Sequence, residues 1–465
     1  MKKISLLLAV ILSVSFIFTG CAAKKNNAVK TITLWNYYNA DIKTNFDNLV
    51  RTFNETVGKE KGIIVDSYSL GGVNELADAV YAAANKDIGS KEMPNIFSAY
   101  SDNALRIDEL GAIAPLDDYF TADELALYRK EFIEDGRFSK DGSLKIIPVA
   151  KSTELSFLNL SAYNKFADET GAELSQLETW EGIVDTAQKY YEWSGGKAFF
   201  GIDSMANFMI IAAKQLGDDI FKESGGKVSL NLSRENAKKI WDTFYVPYMK
   251  GYFTAVGRFR SDDVKSGNII MFLGSNSSAT FFPKIIETGK DTSYKTKPLV
   301  MPYPYFSGKK PYCIQQGAGM VVAKSDIETE KACVEFLKWF TAPEQNAPFA
   351  AKTSYLPVQN SVLSYDSAIK LLSTTDENDV IFQANQAAYK MLDSYSLYAV
   401  KPLKNSFNAR AILETSLLKQ AQSNFAAMNE KLAAGGDKAT LLLEYCSDES
   451  FSSWYKSLND EINAL

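Results

Sequence analysis

This chain has no histidine to work with: its 465 residues contain none, against 56 acidic side chains, 24 tyrosines and 6 tryptophans. That balance removes Ser-His-Asp and Cys-His hydrolysis, HExxH metalloproteases and histidine metal sites together. Paired carboxylates can still cleave glycosidic bonds, yet so many acids leave no pair singled out by spacing. Besides Cys21, the cysteines Cys313, Cys333 and Cys446 lie far apart with no CxxC pair, so neither a zinc site nor a redox motif is indicated. The three leave room for one disulfide whose pairing spacing does not fix. No catalytic residue, metal ligand or cofactor is expected.

What remains is a set of aromatic and polar clusters able to hold a small molecule. Aromatic rings cover flat C–H faces, and acids, amides, hydroxyls and guanidinium groups pair the hydroxyls. Trp35-Asn36-Tyr37-Tyr38 follows the β-prone run 31–35, and Tyr38 is the better ligand contact than Trp35. Tyr100-Ser101-Asp102 ends a second apolar run, where Asp102 either accepts two hydroxyls or caps the next helix. Ser152, Thr153 and Glu154 stand between the apolar runs 146–150 and 155–158 and offer two hydroxyls and an acid. Gly274-Ser275-Asn276-Ser277-Ser278 offers backbone N–H groups and the hydroxyls of Ser275, Ser277 and Ser278, without the Gly-Lys-Ser/Thr of a Walker A loop. In Gln315-Gln316-Gly317-Ala318-Gly319, Gln316 can bond a ligand and Gly317 admits close approach to the backbone.

These clusters need elements to carry them. Phe46, Leu49, Val50 and Phe53 fall on one face of a helix over 42–54, between a strand at 31–35 and a short one at 62–67. A helix at 76–84 and a strand at 95–100 continue the alternation, which reads as βαβ units and a parallel sheet. Ligands of such sheets sit at the carboxyl ends of the strands. Thr179 is the expected N-cap of a helix over 181–192. Further helices are expected at 208–216, 234–248 and 328–340, strands at 267–273 and 319–323, and a mostly helical last 90 or so residues. Trp180, Trp241, Trp339 and Trp454 fall in helical patterns as packing residues.

The first thirty residues have their own logic. Lys2 and Lys3 precede an uncharged apolar stretch, 4–18, of about 22 Å as a helix, short of a bilayer core of about 30 Å. That is a secretory signal rather than a span. It closes on Phe18-Thr19-Gly20-Cys21, which looks like a lipobox: residues 1–20 are removed and Cys21 is acylated. Residues 21–28 read as a flexible leash. Removing Lys2 and Lys3, and no acids, takes the net charge from −6 to −8. No basic stripe for nucleic acid is expected. The remaining length suggests two lobes.

The order of local signatures resembles the family 1 extracellular solute-binding proteins, the sugar-binding subunits of ABC importers. Thr33-Leu34-Trp35-Asn36 is similar to the family's first strand, and Met93-Pro94-Asn95-Ile96 to its "PDI" strand, leading through 111–117 to a turn that recurs there. Thr179-Trp180-Glu181 resembles the start of its second-lobe helix, and Ser266-Gly267-Asn268-Ile269-Ile270-Met271 its "GKAAM" strand. Residues 332–344 with Ser354-Tyr355-Leu356-Pro357-Val358 resemble its "FLKFLTSPE…GYLPV" segment. Within the family, the pattern is nearest the branch binding glycerol-3-phosphate and its esters. Ser152-Thr153, the 274–278 loop, 316–319 and Tyr355 fall on that branch's cleft segments. Its cleft glutamate falls near Asp102, and its phosphate-binding arginine near Pro402, with Lys401 beside it and Arg410 further along. Those departures favour a neutral carbohydrate.

The resemblance implies an α/β, two-lobe periplasmic-binding-protein-like fold with the ligand cleft between lobes. Lobe 1 is expected over 29–148 and 313–350, lobe 2 over 149–312 and 351–465. The expected protein is a monomeric, non-enzymatic capture lipoprotein on the extracytoplasmic face of the cell membrane, passing a carbohydrate or polyol to an ABC permease. The expected ligand set is Tyr38, Tyr100, Asp102, Ser152, Thr153, Glu154, Ser275, Ser277, Ser278, Gln316, Gly317, Tyr355 and Arg410. The rivals are a lipid-anchored carboxylate glycosidase and a binding protein reporting to a membrane sensor.

Overall fold

The computed structural model describes residues 29–289, 292–372 and 376–465. The signal segment, Cys21 and the leash lie outside the described residues. In the first lobe, β1 (Lys30–Asn36) pairs in parallel with both β2 (Ile63–Ser69) and β3 (Ile96–Ala99), placing Trp35 opposite Tyr68 on one side and Phe97 on the other. The helices Ala40–Glu55 and Val73–Asn85 make the two crossovers. The first buries Ile42, Phe46, Val50 and Phe53 against the sheet, while Leu49, also expected on that face, is half-buried.

The second lobe departs from the parallel pattern. Its sheet runs in the order Pro298–Met301, β4 (Glu154–Asn159), Met271–Ser275, β5 (Phe200–Ile202), and only β5 pairs in parallel. The strand expected at 267–273 starts later, because the helix Arg260–Lys265 must first end through Gly267 at φ +72°. Thr179 caps the helix Trp180–Trp193 as expected, its side chain accepting the N–H of Gly182. Trp180, Trp241 and Trp454 are buried, with Trp241 and Trp454 ring centres 5.2 Å apart, so the C-terminal helices are welded to lobe 2. Cys313, Cys333 and Cys446 are free. Among the described residues no helix is long and apolar enough to cross a membrane.

Three segments join the lobes and bond side by side. Lys151 exchanges backbone hydrogen bonds with Leu356 at 3.0 and 2.6 Å, and Ser152 with Gln316 at 2.9 and 2.8 Å. The crossings are offset from those expected. Val149, Ala150, Tyr355 and Val358 pack in the lobe 1 core, whereas Cys313 and Ile314 pack in that of lobe 2. The apolar residues reach past the polar crossing points in each direction, which composition alone does not reveal. Gly317 sits in this junction at φ +89°, and a Cβ there would lie 2.3 Å from the Ala150 carbonyl oxygen. It is therefore a packing requirement of the hinge, and it is not among the residues lining the cavity between the lobes. Gly317→Ala should cost about 2 kcal/mol or more, from left-handed strain plus the clash with backbone. Urea unfolding should show it as a lowered midpoint.

Candidate ligand-binding cleft

The carboxyl end of β3 delivers Tyr100, Ser101 and Asp102 to the lobe 1 side of a cavity between the lobes. Lobe 2 supplies Asn207 and Ile210 from the helix Met205–Leu216, and Ser406 and Arg410 from the helix Ser406–Ala433. The hinge strand closes the wall with Ile314, Gln315 and Gln316. The cavity volume is ≈ 60 Å³.

Two carboxylates line this space, Asp102 and Asp135, and each has a cation. Burial raises the Asp102 pKa, and Arg410 pulls against that rise from the opposite lobe. Asp135 accepts from the Nζ of buried Lys151 at 2.8 Å, and the same ammonium reaches the Gly317 carbonyl at 3.2 Å. Asp102 also accepts the N–H of Asn103 at 2.7 Å within the first turn, but it does not cap the helix, whose N-cap position is Tyr100.

The lobe 2 wall is set by a helix-to-helix cap. Glu414 accepts from Ser204 Oγ at 3.0 Å and from the N–H groups of Met205 and Ala206 at 3.3 and 2.9 Å. A carboxylate at a helix N-terminus meets its positive end. The cap brings Arg410, one turn before Glu414, onto Asn207: Nη2 donates to Oδ1 at 2.5 Å. Asn207 Nδ2 in turn donates to Glu154 Oε1 at 2.6 Å. Glu154 is 2% exposed and its Oε2 has no partner. Burial pushes its pKa up to about 8, and that of Asp203 to about 6.

Residues 48–384 match the family model described as bacterial extracellular solute-binding protein. The chain belongs to that family. The sn-glycerol-3-phosphate-binding periplasmic protein UgpB of Escherichia coli O1:K1 / APEC is 26% identical over 366 residues, 75% of this chain and 78% of its own length. UgpB from Mycobacterium tuberculosis, solved with glycerophosphocholine, aligns at TM-score 0.68 and 16% identity over 93% of this chain and 98% of that one. A solute-binding protein from Thermotoga lettingae TMO, bound with alpha-D-tagatose, aligns at 0.66 and 14%, over 93% and 100% of the two chains. The family, the two-lobe fold and the likeness to the glycerol-3-phosphate-binding branch are thus borne out. Members of this extracellular family are substrate-binding proteins rather than enzymes.

Within this solute-binding protein the expected ligand residues divide by place. Tyr100, Asp102, Gln316 and Arg410 line the cavity. Tyr38 does not: it is 2% exposed in the lobe 1 core, with ring centres 5.0 Å from Phe46 and 6.0 Å from Phe349. Its neighbour Tyr37 is only half-buried, its ring centre 5.2 Å from that of Tyr38. Tyr355 is also buried, stacked on Phe349 with ring centres 6.4 Å apart. Ser277 is tied to Ser275, Oγ to Oγ, at 2.9 Å, and neither they nor half-buried Ser278 line the cavity. Ser152 and Thr153 are buried in the hinge, and Glu154 stands behind Asn207.

Asp135, Asn207, Gln315 and Ser406 are cavity residues that the sequence reading did not select. Asn207 had a local signal, Ser204 three residues earlier as N-cap of a helix starting at Met205 rather than at 208. Asp135 had none, since its partner Lys151 is a long-range one.

Glu154 makes stability fall with alkali. The folded state keeps its proton up to about pH 8, whereas the unfolded chain releases it near 4.5, so stability declines as pH rises between those values. Asp203 adds the same loss only up to about pH 6. The fall in Tm between pH 6 and 8 should therefore shrink by about 5 °C in Glu154→Gln, measured by calorimetry.

Proposed function

We propose that this protein captures a small carbohydrate or polyol in the interlobe cleft and delivers it to the permease of an ABC importer. It does so as a monomer tethered to the extracytoplasmic face of the membrane by lipid on Cys21. The observation that carries the ligand class is the internal charge balance of the cavity: Asp102 faces Arg410, and Asp135 pairs with Lys151. A neutral, hydroxyl-rich ligand leaves no buried charge unanswered, while a phosphate would set added negative charge beside two carboxylates. Ile210, Phe221 and Ile314 supply apolar wall for C–H faces. The ligands named for two of the relatives, sn-glycerol-3-phosphate and alpha-D-tagatose, are a polyol phosphate ester and a sugar.

Ligand pockets usually hold about 300–1,000 Å³, far above ≈ 60 Å³. Entry therefore needs the lobes to part about the three-segment hinge, and groups from both lobes then favour the closed form. Such a form is what a permease can distinguish from the open one.

A thermal-shift screen of neutral sugars, polyols, sn-glycerol-3-phosphate and glycerophosphodiesters tests the reading. A neutral sugar or polyol should raise Tm. Asp102→Ala should weaken that ligand about 10- to 100-fold, the worth of a hydrogen bond to a charged group, with the unliganded Tm little changed. Stabilisation by phosphate esters alone would overturn the neutral-ligand reading. Unimpaired uptake of the bound sugar after gene deletion would overturn delivery to an importer.

A further inference from the structure

We propose that Asn207 is a positioning residue for ligand recognition: hydrogen-bonded to buried Glu154, it holds the Arg410 guanidinium in the orientation it presents to the cleft. The inference rests on the reading that the cleft holds ligand. It assigns a role to a residue that never needs to touch one.

The argument starts from donor and acceptor inventory. A guanidinium only donates, so Asn207 must turn its Oδ1 toward Arg410. Its Nδ2 then points the other way and requires an acceptor, which Glu154 Oε1 supplies. An amide is the side chain that can join a donor-only group to an accepting carboxyl oxygen. Asn207 is fully buried, so an unmatched end would be costly. Because the guanidinium is a rigid plane, fixing one nitrogen constrains the direction of the remaining N–H groups.

The supports of this relay are themselves fixed. Glu414, on the same helix as Arg410, caps the helix that carries Asn207, so the two helices are held at two points one turn apart. Glu154 is the first residue of β4 and follows directly on the hinge residues Lys151 and Ser152. The direction of Arg410 is thereby referenced to the hinge rather than to the surface of its own helix. Glu154 also separates positioning from ligand contact: it does not line the cavity, and Arg410 does.

The test reads Arg410 without any ligand. The full chain is treated with phenylglyoxal, and the rate at Arg410 is followed by peptide mass mapping against exposed Arg258 in the same digest. Asn207→Ala and Glu154→Leu should each raise the Arg410 rate about tenfold, because each breaks one link. Glu154→Gln, whose Oε1 still accepts from Asn207, should stay within about twofold of wild type. A merely structural role would not distinguish Leu from Gln at 154 in this way. Circular dichroism confirms folding, and either disrupting variant suffices if the other does not fold. Unchanged Arg410 rates in the folded variants would overturn the proposal.

A second arm measures the affinity of glycerol, D-tagatose and sn-glycerol-3-phosphate by calorimetry. Any that binds wild type should lose about tenfold in Asn207→Ala and hold in Glu154→Gln. Loss of equal size in both would overturn the relay, because the Gln variant preserves the accepting oxygen. If none of these or of the screened compounds binds, the ligand reading fails while the labelling result still decides the relay.

Discussion

Residues 151 and 152 carry the mechanical constraint on which the cleft depends. One residue gives both its backbone groups to Leu356, and the next gives both to Gln316. The middle segment is therefore tied on its two edges by residues facing opposite ways, as alternation along an extended chain requires. The lobes can rotate about this junction, but they cannot slide along it without breaking four hydrogen bonds. Gly317 lets the third segment come close enough, and buried Lys151 ties it to Asp135 in lobe 1. Replacement of such a buried ion pair by apolar groups need not destabilise, so its contribution is better sought in register than in net energy.

With the axis fixed, contacts far from it settle how the lobes meet. Arg106 places its guanidinium 4.1 Å from the Tyr81 ring and 4.3 Å from the Phe407 ring, lobe 1 on one face and lobe 2 on the other. Glu75 and Arg258 approach to 3.6 Å at the lip, both well exposed. The exposed ion pair is screened and worth little. A largely desolvated cation between two rings is worth about 2 kcal/mol or more. The aromatic sandwich therefore dominates these two contacts. Arg106 and Phe407 lie on the same two helices as Asp102 and Arg410, with Tyr81 on the helix Val73–Asn85, so the lobe contact and the cavity walls share one frame.

Where periodicity decides structure, the chain was readable. Phe46, Val50 and Phe53 announced the helix that covers β1, and Thr179 announced its own cap. Lobe 2 was less so, because strand direction there follows from where the chain re-enters the sheet, which local spacing does not encode. Tyr37 and Tyr38 show the limit at a single residue. Both leave the same strand with the same chemistry, and only the position of Phe46 and Phe349 decides which ring is taken into the core. Arg410 came from resemblance and Asn207 was missed, yet they form one hydrogen-bonded unit spanning about two hundred residues of sequence.

A buried carboxyl behind a binding site would ordinarily be a liability. Glu154 escapes most of that cost by keeping its proton at neutral pH, since burial and the neighbouring carboxylates Asp203 and Glu414 all disfavour its charge. A neutral acid still accepts from Asn207, so the relay needs no buried anion to work. Had Glu154 been ionised, its attraction for Arg410 would draw the guanidinium back toward lobe 2 and away from Asp102 across the cleft. Keeping the inner acid neutral leaves Asp102 as the carboxylate that Arg410 meets across the cavity. That arrangement sets an attraction between the two lobes across the cleft.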